Sequence, residues 1–179
     1  MVSDTKERRI IVNKIYLCAD HHFNHYNIIK YCDRPFETAE EMNEFMIERW
    51  NSVVKDGDLV YHLGDFGFGS PDNLTEIVKR LNGRKILIMG NHDRRRTISW
   101  WLNFGFEEVY KKPIELFEDI IFSHEPVDVE PFQINFHGHI HNTKLNDRFN
   151  PANHVCMSVE CIDYCPVEFN TELITKDRS

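Results

Sequence analysis

Short apolar runs recur along the chain, and most of them end at a polar or glycine-containing segment. Such runs predict β-strands when they are short and rich in Ile, Val, Leu, Phe and Tyr. The predicted strands are Ile10–Ala19 (one strand, or two broken near Asn13), Leu59–Leu63, Lys85–Met89, Ile114–Phe117, Ile120–Ser123, Ile134–Phe136, Val155–Val159 and Val167–Ile174. Glu118-Asp119 predicts a hairpin between two of them. No run approaches the roughly 20 apolar residues of a membrane helix, so we expect no membrane span.

Helical periodicity occurs in two of the segments between these runs. Thr38 followed by Glu41 is a capping-box pattern, which is typical of a helix start. The apolar residues that then recur at helical spacing are Met42, Phe45, Met46 and Trp50. A second helix is predicted over Asp72–Leu81, with Gly83 as its stop. Strands alternating with helices, followed mostly by strands, predict a layered α/β fold.

Composition and charge limit the class of protein. The 179 residues suit one domain, which we expect to span 1–179. The net charge of −8 disfavours broad binding to nucleic acid or anionic membranes. A small phosphorylated substrate remains compatible, because bound cations reverse the charge locally.

The five cysteines predict a reducing environment. Their number is odd, no Cys-x-x-Cys pair occurs, and the charged start of the chain is unlike a secretion signal. We therefore expect a cytoplasmic protein. Cys156, Cys161 and Cys165 lie close together in sequence. For these three, packing as small buried residues is favoured over a metal or redox role.

Polar motifs follow five of the predicted strands. They are Asp20–His25, Gly64-Asp65, Gly90–Asp93, His124 and Gly138–His141. Because ligand sites in α/β sheets gather beyond the carboxyl ends of strands, we expect these motifs to meet at one edge.

The motifs supply seven candidate metal ligands. Asp20 and His22, like His139 and His141, alternate and would share one side of an extended segment. The full set is Asp20, His22, Asp65, Asn91, His124, His139 and His141. Carboxylate, imidazole and amide donors without thiolate suit Mn, Fe, Zn or Ni. Seven donors exceed the four of a single tetrahedral site, so we expect two divalent metal ions, an arrangement that serves phosphoester hydrolysis.

These five motifs, in this order, resemble the calcineurin-like metallophosphoesterase family, in particular its small single-domain bacterial or phage-type members. The resemblance spans Asp20 to His141. It implies a sandwich of two mixed β-sheets flanked by helices, in four layers. It also implies that Asp20, His22 and His141 bind the first metal ion. The residues implied for the second ion are Asn91, His124 and His139, with Asp65 as the bridge between the two ions.

The resemblance further implies a catalytic pair. His92 would face the substrate and protonate the leaving oxygen or stabilise the transition state, and Asp93 would orient and charge His92. Candidates for substrate binding are Arg34, Arg94, Arg95 and His25. A solvated charged face is the alternative for the arginines after Asp93.

Three functions follow as hypotheses. The first is a hydrolase acting on a small soluble phosphoester, with a phosphodiester or nucleotide favoured. The second is a nuclease on single-stranded nucleic acid, which the acidic composition disfavours. The third is a non-catalytic metal-binding scaffold, which predicts degraded ligands, whereas His92 and all seven ligands are present. The oligomeric state stays open.

Overall fold

The computed structural model of the chain describes residues 13–116 and 118–170. The α-helices are α1 (Tyr26–Tyr31), α2 (Ala39–Val53), α3 (Pro71–Arg80) and α4 (Ile98–Asn103). The strands are β1 (Ile15–Cys18), β2 (Leu59–His62), β3 (Arg84–Ile88), β4 (Glu108–Tyr110), β5 (Ile114–Leu116), β6 (Ile120–Phe122), β7 (Ile134–His137), β8 (His154–Cys156) and β9 (Val167–Glu168). The expectations for residues 10–12, 117 and 171–174 fall outside the described residues. Among those described, no helix has the length and apolar character to cross a bilayer.

Two mixed sheets form the centre of the fold. The first has the order β4-β3-β2-β1-β9, with β1 to β4 parallel and β9 antiparallel to β1. The second has the order β5-β6-β7-β8, in which only the β5–β6 pair is antiparallel. This confirms both the predicted hairpin and the sandwich of two mixed sheets.

Strand β1 shows why these runs are apolar without alternation. Leu17 belongs to the core between the two sheets, together with Phe122 and Phe136 of the second sheet. Its neighbours Tyr16 and Cys18 belong to the core on the opposite face. A strand that is buried on both faces has no polar side, so its sequence reads as a continuous hydrophobic run.

The helices pack on the five-stranded sheet. All four contribute buried residues to the core on its outer face, for example Ile28, Met46, Leu74 and Trp101. The Thr38 hydroxyl accepts the Glu41 N–H at 3.1 Å, which confirms the predicted start of α2. The Glu41 carboxylate bonds the N–H of Glu37 rather than that of Thr38, so only half of the capping box forms.

Helix α1 and strand β4 are among the elements that have no counterpart in the sequence predictions. Helix α1 has six residues and no side-chain cap, and it buries only Ile28 and Ile29. Strand β4 has three residues and lies at the sheet edge, with Glu108 and Tyr110 exposed. Both depend on tertiary contacts, since neither segment carries a full apolar period.

Replacing Thr38 by Ala should lower the free energy of unfolding by about 1 kcal/mol, because the Glu41 N–H loses its acceptor. Urea denaturation of the purified chain measures this change. Thr75→Ala is the matched control: its hydroxyl donates to Pro71 O within α3, and its loss should change stability by at most about 0.5 kcal/mol. Equal losses in both variants would contradict the capping role.

Candidate metal centre

The predicted motifs meet where the strands of the two sheets end. Asp20, Asp65 and Asn91 follow β1, β2 and β3 of the first sheet, and His124 and His139 follow β6 and β7 of the second. Backbone hydrogen bonds join adjacent loops, from Asp20 N–H to Gly64 O at 2.9 Å and from His22 N–H to Asp65 O at 3.1 Å. The expected gathering at one edge is therefore present.

The ligand-bearing loops have an unusual backbone. Five candidate ligands have left-handed φ values: Asp20 (57°), His22 (51°), Asp65 (55°), His139 (71°) and His141 (51°). The expectation that Asp20-x-His22 and His139-x-His141 are extended segments is therefore wrong. The side chains converge because both residues of each pair turn into the left-handed region, which Asp and His tolerate better than most residues.

The first group of donors is Asp20, His22 and His141. Their ligand atoms lie within 4.8 Å of one another, and Asp20 Oδ1 is 3.9 Å from His22 Nε2. The rings of His22 and His141 stack with centroids 5.2 Å apart. Glu160 contacts His141 Nδ1 at 3.0 Å, which leaves His141 Nε2 to act as a ligand.

The second group is Asn91, His124 and His139. Asn91 Oδ1 lies 3.0 Å from His124 Nε2 and 3.2 Å from His139 Nδ1. The other ring nitrogen of His124 is 2.9 Å from the carbonyl oxygen of Leu63. That contact fixes Nδ1 as the protonated nitrogen and leaves Nε2 as the donor.

Asp65 lies between the two groups. Its Oδ2 is 3.7 Å from His22 Nε2 in the first group and 3.5 Å from His124 Nε2 in the second. Asp20, Asp65 and His124 also form a cluster of ligand atoms within 4.8 Å. This is the position that a bridging carboxylate requires.

Two glycines leave space for the carboxylates of Asp65 and Asp20. A Cβ at Gly90 would lie 2.1 Å from Asp65 Oδ1, and a Cβ at Gly138 would lie 2.4 Å from Asp20 Oδ2. Both separations are far below van der Waals contact, so only glycine fits at these two positions.

The donors fit divalent cations. Asp20 Oδ1 and both ring nitrogens of His22 are buried without a hydrogen-bond partner. Burial, followed by the nearby His141 and Arg34, holds the pKa of His22 well below its ordinary value, and burial also lowers the pKa of His139. Neutral imidazoles are the form that binds metals, and a buried carboxylate without a partner needs positive charge.

Glu160 and His141 form a charged pair beneath the first group. Burial alone would lower the pKa of His141, but hydrogen bonding to Cys32 and Glu160 outweighs it and raises that pKa to about 10. Burial would raise the pKa of Glu160, yet His141 and Arg34 hold it below its ordinary value. A cation at this position would take the place of the proton on His141.

Arg34, a predicted substrate-binding residue, is buried and bonded to protein groups instead. It is only 4% exposed, and its guanidinium donates to Asp20 O at 2.7 Å and to His21 O at 2.8 Å. It also pairs with Glu160 at 2.7 Å. The prediction is corrected: Arg34 lies under the first motif loop and holds its backbone in place.

Two supporting residues were absent from the sequence interpretation. The Ser158 hydroxyl donates to Asp20 Oδ2 at 2.7 Å, and Glu160 orients His141 as described above. Both follow β8, in the segment Ser-Val-Glu-Cys, which has no recognisable motif. Strand pairing of β7 with β8 brings this segment under the site, and the local sequence carries no signal of it.

The expected pairing of Asp93 with His92 is also corrected. The buried Asp93 carboxylate accepts the backbone N–H groups of Asp65 at 2.6 Å, Phe66 at 3.1 Å and Gly90 at 2.9 Å. Burial and the nearby Asp65 raise the pKa of Asp93 to about 6. Asp93 therefore ties the second and third motif loops together. His92 Nε2 instead lies 3.9 Å from Asp65 Oδ2.

The remaining candidates for substrate contact lie in different parts of the site region. His25 stacks on Phe68 at 4.3 Å and lines a cleft of about 160 Å³ with several of the metal ligands. Arg95 lines a neighbouring cavity beside His92. Arg94 instead lies 3.7 Å from the carboxylate of Glu125. The structure thus brings His25 and Arg95, but not Arg94, next to His92.

The fold and the donor set define a two-sheet α/β domain with a histidine- and carboxylate-rich candidate metal centre. A model of the calcineurin-like phosphoesterase family matches residues 13–157, and the chain belongs to that family.

Two relatives extend this comparison. An uncharacterized protein of Methanocaldococcus jannaschii is 38% identical over 175 residues, which cover 92% of this chain and 91% of that protein. A crystal structure of a protein of unknown function from Aquifex aeolicus has a TM-score of 0.70 and 28% identity, and the match covers 92% of this chain and 99% of that one. Members of the family are in general metal-dependent phosphoester hydrolases. The descriptions of these two relatives give no substrate.

Replacing Arg34 by Gln should lower the free energy of unfolding by about 3–5 kcal/mol, because Glu160 is left buried without its cation. Affinity for Mn²⁺ should fall about 10- to 100-fold, since the loops of Asp20 and His141 lose their support. Denaturation and metal titration measure the two effects.

Arg49→Gln is the matched control. Arg49 pairs with the exposed Asp163, so its loss should cost at most about 1 kcal/mol and leave the affinity for metal unchanged. An Arg34→Gln protein that behaves like this control would contradict the supporting role.

Proposed function

We propose that the chain is a hydrolase that uses two divalent metal ions to cleave a small phosphoester, with a phosphodiester or nucleotide as the favoured substrate. The observation that carries this proposal is the position of Asp65, whose Oδ2 lies within 4 Å of His22, His92 and His124 at once. One carboxylate thereby faces both donor groups and the proposed acid. Mn, Fe, Zn and Ni all suit the donors.

The residues of the site have different proposed roles in cation binding, proton transfer and loop support. When bound, the two cations supply a water of lowered pKa and positive charge for the phosphoryl oxygens. Asp20, His22 and His141 would hold one cation, Asn91, His124 and His139 the other, and Asp65 both. His92, whose Nε2 lies 3.9 Å from Asp65 Oδ2, would pass a proton to the leaving oxygen. Asp93 keeps the loops of Asp65 and Asn91 at a fixed separation.

The cavities beside His92 support a phosphodiester or nucleotide. His92 lines both the cleft of about 160 Å³ that contains the metal ligands and a second cavity of about 310 Å³. The second cavity is also lined by Phe68, Trp100, Arg95 and Arg96. A phosphorus atom held at the metal ligands would direct one substituent past His92 into this cavity. Aromatic walls and two guanidinium groups suit a flat ring with a further negative charge.

The thiols support a reducing, cytoplasmic setting. All five cysteines, which lie in the domain that we infer over 1–179, are free. A protein with exposed Cys161 and no disulfide fits a compartment in which thiols stay reduced.

With Mn²⁺, the chain should hydrolyse bis-p-nitrophenyl phosphate in preference to p-nitrophenyl phosphate. Asp65→Ala should abolish both activities and lose at least one metal ion, because Asp65 Oδ2 lies between the imidazoles of the two donor groups. Absorbance of released p-nitrophenol and elemental analysis measure these outcomes.

Asp72→Ala is the control, since Asp72 is an exposed residue in the first turn of α3. It should keep both activity and metal content. Metal-loaded protein that cleaves neither ester would favour the scaffold hypothesis, and activity on single-stranded DNA that falls with salt would favour the nuclease.

Replacing His92 by Ala should slow hydrolysis of esters with poor leaving groups by about 10²- to 10⁴-fold. The loss on p-nitrophenyl esters should be much smaller, because p-nitrophenolate leaves without a proton. Turnover of an alkyl ester and a p-nitrophenyl ester of the same phosphate gives the comparison. Equal losses on the two esters would remove His92 as the acid.

A further inference from the structure

Two cysteine thiols meet beneath the first group of metal ligands. Cys156 ends β8, and Cys161 ends the short 3₁₀ turn Val159–Cys161. Their Sγ atoms are 3.5 Å apart, and both cysteines are free. Both thiols donate to the carbonyl oxygen of His141, Cys161 at 3.1 Å and Cys156 at 3.6 Å. Cys161 is exposed, so small oxidants reach the pair.

We propose that Cys156 and Cys161 form a reversible disulfide, and that this disulfide weakens cation binding by Asp20, His22 and His141. The first half of the proposal concerns the thiols alone. The second half rests on the metal ligation proposed above.

The chain between the two cysteines carries the supports of the first metal group. Ser158 donates to Asp20 Oδ2 at 2.7 Å, and Glu160 contacts His141 Nδ1 at 3.0 Å and pairs with Arg34 at 2.7 Å. To form a disulfide, the two Sγ atoms must close by roughly 1.5 Å. The movement pulls on the two ends of the segment that positions Asp20 and His141.

Oxidation also removes thiol hydrogen bonds around His141. The Cys161 thiol donates to the carbonyl oxygen of His141, and the Cys156 thiol lies between that oxygen at 3.6 Å and Ser158 Oγ at 3.3 Å, whereas a disulfide has no hydrogen to donate. His141 has a left-handed backbone with φ of 51°, a conformation that depends on its surroundings. Loss of the thiol donors acts on the backbone of His141 and a shift of Glu160 acts on its imidazole, so ligand geometry at the first group should change.

The chemistry balances with hydrogen peroxide as the oxidant. One cysteine thiolate attacks a peroxide oxygen, the O–O bond breaks, and a sulfenic acid and hydroxide form. The second sulfur then attacks the sulfenic sulfur, an S–S bond forms, and hydroxide leaves and takes up a proton as water. Overall two thiols and one peroxide give one disulfide and two waters. A small dithiol reverses the reaction by thiol–disulfide exchange.

The disulfide is tested on the full chain by mass spectrometry. Brief treatment with hydrogen peroxide should remove two hydrogen atoms, and peptide mapping should join Cys156 to Cys161. Dithiothreitol should restore the original mass. Cys161→Ser should not form the link, whereas Cys165→Ser should form it like the wild type, because Cys165 Sγ contacts Arg49 O instead. A link from Cys161 to the buried Cys32, or oxidation without any link, would overturn the proposal.

The consequence for the metal site is tested by titration of Mn²⁺ into reduced and oxidised protein. The oxidised chain should bind one of its two ions about 10- to 100-fold more weakly, the range expected when groups behind the ligands are disturbed. Peroxide-treated Cys161→Ser should keep the affinity of the reduced wild type. A disulfide that leaves Mn²⁺ binding unchanged would refute the regulatory half. A reduced chain that binds no Mn²⁺ would overturn the proposed function, while the mass measurement would still decide on the disulfide.

Discussion

The carboxylates of Asp20 and Asp65 are almost completely buried among imidazoles, and their negative charge has to be balanced. Exposure is 0% for Asp20 and 2% for Asp65, and burial keeps the neighbouring His22 neutral. The guanidinium of Arg34 contacts the backbone of Asp20 and the carboxylate of Glu160 rather than either of these two carboxylates. Isolated charges at such positions cost several kcal/mol each, and bound cations remove that cost. Charge balance therefore links the stability of the loops to metal binding.

The backbone conformation of the loops depends on contacts with other parts of the protein. Five candidate ligands have left-handed backbones, at a cost of about 1 kcal/mol each for residues other than glycine. Hydrogen bonds hold this arrangement: Asp93 binds N–H groups of the second and third motif loops, Ser158 binds Asp20, and Glu160 binds His141. The candidate ligands are thus supported by hydrogen bonds from other parts of the protein, as a preorganised site requires.

The convergence of the candidate ligands was predictable because each of their motifs follows an apolar run, and strand ends converge whatever the exact register. The strands β2, β3 and β7 and the cap of α2 were predictable for similar local reasons. The supports were not, since they are contacts between distant segments, such as Arg34 with Glu160, 126 residues apart. A buried arginine and a substrate-binding arginine look alike in a sequence. Asp93 next to His92 suggested a pair, yet the turn after Gly90 directs the carboxylate to the backbone instead.

Anomalous X-ray diffraction from crystals of the Mn²⁺-loaded chain tests the central claim most directly. We predict two peaks about 3.5–4 Å apart on either side of the Asp65 carboxylate. One peak should lie at Asp20, His22 and His141, and the other at Asn91, His124 and His139. A single peak, or manganese bound instead at the buried cluster of Cys18, His21 and His62, would contradict the account.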